Sequence, residues 1–516
     1  MPSHCIRHTA LPGSSKLFTD LLYHFDRVAD FYDYAPFDPE SYRKAAKFDF
    51  PAARRAQLVR ALAESNPGNP SLNKLAQTGT VAVVTGQQVG LFSGPAYTLY
   101  KVLTAVRLAK HLDNQGIPAV PVFWLATEDH DLPEINQAWA FGADPQPVGF
   151  TTAAANPKLG PVGGIIISDP PVAELRAVLE TLPFGAEISA LMEKAYVPGA
   201  SFGEAFRKLM ADLLEPYGVL FVDPMRPEIR ELMGPLLAHA AGLAPKMMAD
   251  LADRNAQLIE RGYHTQVHVD ADTSLFFVLE DGKRTPLRKF GLDKLEDLKT
   301  RPEALSPNAL LRPVMQDYML PTIAYVGGPA ELAYFAQSQV LYHALLGRMP
   351  VMVPRAFFTL VDERTDSLLT RYELSIADFH PGPQALKERL AAKLVPPSLK
   401  DQVVAAKATV TGSIDALSKQ LIGFDPSLAK ALTKSRAKIV YQMEKMESKT
   451  ARETLRRDER ATAAAAELAS VIYPHNHLQE RFYGILPFLA KYGPDLVGRI
   501  HDSIHVGCAD HQLLVL

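Results

Sequence analysis

Cysteine is scarce: of 516 residues only Cys5 and Cys508 carry a thiol, near opposite ends of the chain. That leaves no disulfide framework to expect and makes a reducing cytoplasm the expected location. No apolar run reaches 18 residues and the start is not signal-like, so neither a membrane partner nor export is expected. Charge of one sign is also lacking; a net charge of −3 argues against a nucleic-acid partner. Neither GxGxxG nor GxxxxGK[ST] occurs, which removes most support for the usual dinucleotide and Walker readings. What is present, 47% hydrophobic and 22% charged residues, suffices for a large core with additional modules.

Three segments carry chemistry. The first, TGQQVGLFSGPAYTLYK over 85–101, follows the apolar run Val81–Val84 and leads into a helical pattern. Strand, glycine-punctuated loop and helix start in that order predict an anion cradle. Gly86, Gly90 and Gly94 would shape the loop, with Pro95 in the first helical turn. Gln87, Gln88 and the helix start through Tyr97 would receive anionic oxygens, and Lys101 would either reach back to them or snorkel. Three bare glycines can equally be nothing more than a βα turn.

The second segment closes the buried-strand pattern Ala119–Ala126 with Thr127-Glu128-Asp129-His130-Asp131, then Glu134 and Asn136. Ligands of open α/β sheets bind beyond the carboxyl ends of the strands, where this cluster falls. His130 reads as a general base oriented by Asp129 or Asp131, unless the acids hold the magnesium of a nucleotide; Glu128 joins the binding set. A merely solvated acidic loop is the plain alternative. In the third segment, Arg312 precedes an apolar strand ending in Gly327-Gly328-Pro329-Ala330-Glu331, a second helix start that brings in Gly328 and Glu331. Arg312, and Arg355 after the strand Val351–Val353, are the cations placed to clamp a carboxylate or phosphate.

The organisation expected is α/β. A Pro-punctuated helical segment over 1–75 leads to a parallel-sheet core over 76–380, with an insertion at about 146–201 and strand-like alternation at His264–Val269 and Ser274–Val278. Asp223 lies at a further strand end, as a site residue or a helix cap. Residues 381–472 read as a coiled-coil hairpin and 473–516 as a return to the core. Val403, Val410, Ile414, Leu417 and Leu421 keep a coiled-coil spacing; Gly423 ends that helix, Asp425 and Pro426 start the next, and Leu428, Leu432, Ile439, Met443, Met446 and Leu468 lie along its return. One buried stripe leaves apolar surface for a homodimer partner, against packing back on the same chain. KMESK at 445–449 falls mid-helix and reads as a solvated face. His501, His505, Cys508 and His511 have a spacing that zinc can use, but histidines near a terminus usually have plainer roles, and no metal site is assigned.

Together, TGQQVGLFSGPAYTLYK, FWLATEDHDLPEIN at 123–136 and LRPVMQDYMLPTIAYVGGPAELAYFAQ at 311–337 resemble the bacillithiol biosynthesis enzymes that add cysteine to glucosaminyl-malate. The resemblance runs the length of the chain. It implies a Rossmann-like core related to class I synthetase and nucleotidylyltransferase folds, connecting insertions and a dimerising coiled-coil arm. The reaction it implies is amide formation between cysteine and the amino sugar. A free carboxylate is a poor electrophile, so ATP or ADP with Mg2+ is the expected cofactor chemistry. His130 would then deprotonate the amine, with Arg312 and Arg355 on the malyl carboxylates. The rival readings are a nucleotidylyltransferase with another acceptor, zinc-assisted thiol chemistry, and a non-catalytic ligand-sensing scaffold.

Overall fold

Runs of apolar residues too short for helices and free of polar alternation become the central strands of the protein. The computed structural model describes residues 4–153, 160–269, 274–287, 295 and 297–516. In chain order the strands are β1 (His4–Ile6), β2 (Val81–Gln87), β3 (Ala119–Leu125), β4 (Gln137–Ala140), β5 (Val148–Thr151), β6 (Leu220–Val222), β7 (Phe276–Glu280), β8 (Lys283–Pro286), β9 (Leu305–Pro307), β10 (Thr322–Gly327), β11 (Val351–Pro354), β12 (Phe357–Val361) and β13 (His511–Val515). Five of them form one parallel sheet in the order β11-β10-β2-β3-β6. β3 and β10 are buried along their whole length, as a sheet covered on both faces requires. The Rossmann-like α/β core expected from the sequence is present.

Internal contacts divide the chain into two units, Met1–Thr359 with Glu480–Leu514, and Leu360–Gln479 with Val515–Leu516. In the first, the core is built by apolar faces of the sheet and of the helices Lys16–Tyr23, Pro227–Glu260 and Pro329–Leu346. The insertion contributes β5, which pairs antiparallel with β4 just before it, and the helices Val172–Leu179 and Gly185–Ala195; its residues 154–159 lie outside the described residues, as do residues 1–3 of the N-terminal segment. The antiparallel sheet β8-β7-β9 is a separate layer.

Three local expectations are corrected. The helix after the glycine loop begins at Tyr97 rather than Pro95, because Pro95 pairs as a bridge with Gly484 and the Ala96 N–H donates to Tyr483 O at 2.8 Å. His264–Val269 is not a strand. The side-chain amide of Gln337 takes the place of a neighbouring strand there, accepting from Val267 N and donating to Val267 O, each at 2.9 Å. Ser274 likewise precedes its strand, which starts at Phe276.

The second unit is helical. Its longest elements, Pro397–Phe424 and Pro426–Arg457, form the expected hairpin, and Asp425 accepts from Ser427 N at 2.8 Å to start the second helix. The first helix ends after Phe424, not at Gly423: Asp425, at φ −155°, leaves helical geometry, so no left-handed glycine is needed. The seam is also shifted, since Leu417 is 47% exposed while Ser418 is half-buried. Lys407–Glu444 at 2.7 Å and Arg436–Asp415 at 2.8 Å link the two helices. KMESK lies on the second helix, as expected.

Candidate active site

The carboxyl ends of β2, β3 and β10 open onto one cavity. Gly86, Gln87 and Gln88 come from the end of β2, Glu128, Asp129, His130 and Glu134 from the loop after β3, and Gly328–Glu331 from the helix start after β10. Tyr97, Lys101, Arg312 and Arg355 complete the part anticipated from sequence. Gln88, His130 and Arg312, far apart in sequence, thus face one space.

The anion cradle is not where the glycines placed it. Gly90 and Gly94 do not line the cavity; they cross so closely that a Cβ on Gly90 would lie 2.9 Å from Gly94 Cα, and Gly94 adopts φ +64°. Their role is the crossing itself. Lys101 does not snorkel, and its ammonium is taken up by groups of the protein itself. It is fully buried, and its three protons go to Gly86 O, Gln87 Oε1 at 3.2 Å and Glu331 Oε2 at 2.6 Å. Burial pulls its ammonium below the usual lysine range, with Glu331 opposing. Burial alone would raise the Glu331 carboxyl, but Lys101, the Gly328 N–H and the Tyr325 hydroxyl hold it below the usual carboxylate range. This pair ties the β2 and β10 loops together.

Arg355 is likewise committed. Its guanidinium is bidentate to Glu480, at 2.8 and 2.5 Å, with the two side chains 2% and 0% exposed, so it braces one wall and is not a free clamp. Glu128 pairs at 2.7 Å with Arg230, which also donates to Leu305 O at 2.6 Å and Glu303 O at 2.8 Å. Asp223 accepts from Met225 N at 2.9 Å and from the Thr127 hydroxyl, holding the turn after β6 to the β3 loop.

Arg312 differs. Among the described residues its hydrogen bonds go to Gln316 Oε1 at 3.1 Å and Tyr334 OH at 3.2 Å, both neutral. A cation facing a cavity with only neutral partners is suited to an anionic ligand. Beside it are the first turn of Pro329–Leu346 and the exposed Arg481, which lies 5.6 Å from the Tyr97 ring. In the same lining Gln88 Nε2 donates to Asp129 Oδ2 and Glu134 Oε2, both at 2.7 Å. The space is therefore lined by both cations and carboxylates.

His130 lines the cavity, but not as the sequence suggested. Asp131 is exposed and off the cavity, and Asp129 Oδ1 accepts the His130 backbone N–H at 2.7 Å. What meets the ring is Arg284 of β8, whose Nη1 lies 2.9 Å from His130 Nδ1. Arg284 is anchored by Ser306 Oγ at 2.9 Å, Pro307 O at 2.8 Å and the Phe277 ring at 3.9 Å. Sequence reading missed it, as it missed Arg230, Arg481 and Glu480. An arginine in a short strand 154 residues from its partner has no local signal.

The proposed zinc spacing does not gather. His501 packs on Tyr217 at 5.0 Å and contacts Asp502, while His511 contacts Thr359 Oγ1 at 2.8 Å. No group of three or more potential ligands is found among the described residues.

A parallel Rossmann-like sheet with a polar cavity at its carboxyl edge has the placement of a small-molecule site. Family models narrow this. Residues 1–356 match the N-terminal Rossmann-like domain of bacillithiol biosynthesis BshC, and residues 358–516 its C-terminal coiled-coil domain. The chain belongs to the BshC family. It is 52% identical over 521 residues to a protein of Solibacter usitatus named "Putative cysteine ligase BshC", with 99% of each chain covered. Proteins of the same name from Koribacter versatilis and Salinibacter ruber are 35% and 31% identical, covering 99% of this chain and 99% and 98% of theirs.

Proposed function

We propose that the protein is a cysteine ligase that joins the carboxyl of cysteine to the amine of glucosaminyl-malate, forming the amide of bacillithiol. The observation that carries the reading is the mixed lining of one cavity, which holds the cations Arg312 and Arg481 together with the carboxylates Asp129 and Glu134. The cations suit the malyl carboxylates and the carboxylates an amine, so one bound sugar engages both. Holding amine and activated carboxyl in contact removes much of the entropic part of the barrier.

Activation is assigned to ATP with Mg2+. The start of Pro329–Leu346 offers phosphate oxygens the N–H groups of Ala330 and Glu331, and the described residues hold no three-ligand metal set, so the ion would be carried by the phosphates. Dimerisation through the arm belongs to the same reading, supported by the exposed Val404, Ile422, Ile439 and Met446. So does a cytoplasmic location: no described helix is long and apolar enough to cross a membrane.

The test is incubation of the purified protein with glucosaminyl-malate, cysteine, ATP and Mg2+, with mass detection of products. A new thiol of the amide's mass, with AMP or ADP identifying the activation route, is expected. Nucleotide cleavage without that thiol would reassign the protein to another acceptor, and no turnover of any kind would leave only a binding scaffold.

A further inference from the structure

Arginine is only ever a donor, so a nitrogen 2.9 Å from Arg284 Nη1 must accept. A proton on His130 Nδ1 would point at another proton. Asp129 Oδ1, 3.5 Å from Nδ1, already accepts the His130 backbone N–H. In neutral imidazole the proton therefore sits on Nε2. Among the described residues Nε2 has no protein partner, and the ring it belongs to lines the cavity, packed 5.5 Å from Phe277. An Nε2 that carries a proton is a donor and has no lone pair with which to take one.

We propose that Arg284 is a positioning residue that holds His130 as its Nε2–H tautomer, so that His130 acts on the reacting acyl group as a hydrogen-bond donor and not as the base. The tautomer stands on the geometry alone; the donor role rests on the ligase reading. As the amine lone pair closes the C–N bond, the carbonyl π pair moves onto oxygen, where Nε2–H meets the new negative charge. That pair then returns to carbon as the phosphate-type leaving group of the activated carboxyl departs with its bonding electrons. The ammonium proton passes to Glu134, whose Oε1 has no protein partner among the described residues while Oε2 is occupied by Gln88.

The side chain of Gln puts an N–H near the Nε2 position and that of Asn near Nδ1, so the two substitutions separate the roles. His130→Asn is expected to lower kcat about 100- to 1000-fold, and His130→Gln to stand at least about tenfold above it, since one donor of this kind carries that much. A Gln variant no better than the Asn variant overturns the donor role. Independently, 15N-labelled histidine in the unliganded protein reports which ring nitrogen is protonated. The proton on Nε2 in the native protein, and a mixture in Arg284→Met, which has no donor to offer Nδ1, is the expected result. A proton on Nδ1 overturns the tautomer, and a spectrum unmoved by Arg284→Met overturns the part given to Arg284. If the native protein forms no amide, the ligase reading fails and the donor role with it, while the spectrum still decides the tautomer.

Discussion

Among the described residues, ion pairs with both side chains buried occur in only one of the two units. In the sheet-bearing unit, Arg355–Glu480 and Arg230–Glu128 are nearly inaccessible, at 2% and 0%, and 9% and 7% exposed, and each fixes a loop of the cavity. In the helical unit, Arg436–Asp415 stands at 39% and 53% exposed and Lys407–Glu444 at 34% and 52%. Water already solvates the second set, so losing a partner strands nothing. The first set has no such refuge, and losing a partner leaves an uncompensated charge. Buried pairs in this protein position a site, whereas exposed ones only favour a register.

The sharpest way to break that contrast is Glu480→Ala. Leaving Arg355 buried and unpaired is expected to cost about 3–5 kcal/mol in chemical denaturation, while Asp415→Ala should leave the unfolding curve of the same protein unmoved. Equal losses would dissolve the distinction. Arg312→Ala tests a half-buried cation of the cavity whose hydrogen-bond partners are neutral. Its removal should spare stability but raise KM for the malyl sugar about 10- to 100-fold, the worth of a charged hydrogen bond. An equal rise for cysteine would count against its place on the malyl end.

Acid provides a third, milder probe of the same unit. Burial above all, helped by the nearby His511, pushes His8 down to about 3 from 6.5. The unfolded chain thus binds a proton that the folded one refuses between those values. Stability is full above pH 6.5 and falls as pH drops towards 3, so thermal unfolding of His8→Phe should depend less on pH in that window. The smallest effect on stability belongs to the arm. Ile439→Asp should convert a dimer to a monomer in analytical ultracentrifugation with unfolding of the sheet-bearing unit unchanged; a protein already monomeric would remove the dimer proposal.

Much of this was legible from sequence where one segment carries its own signal. The strand Ala119–Leu125 and the cluster after it announce a strand end, and β10 with its Gly-Pro helix start announces another. Partnership across distance was not legible. Lys101 looked like a ligand because Glu331 lies 230 residues away, and Arg355 looked free because Glu480 is 125 residues further on. His264–Val269 alternated like a strand, yet its main chain is satisfied by a glutamine side chain, which no periodicity records. The glycines of the first loop were read as an opening for a ligand when what they accommodate is each other.

The bracing of Arg355 by Glu480, and the bridge from Gly484 to Pro95, have a consequence for biogenesis. A nascent polypeptide halted after the helical hairpin already contains every strand of the parallel sheet, but its arginine has no counterion and its first glycine loop no lid. Synthesis must therefore pass Gly484 before the pocket can be finished, so a truncation just short of that point damages the site although the sheet is already made.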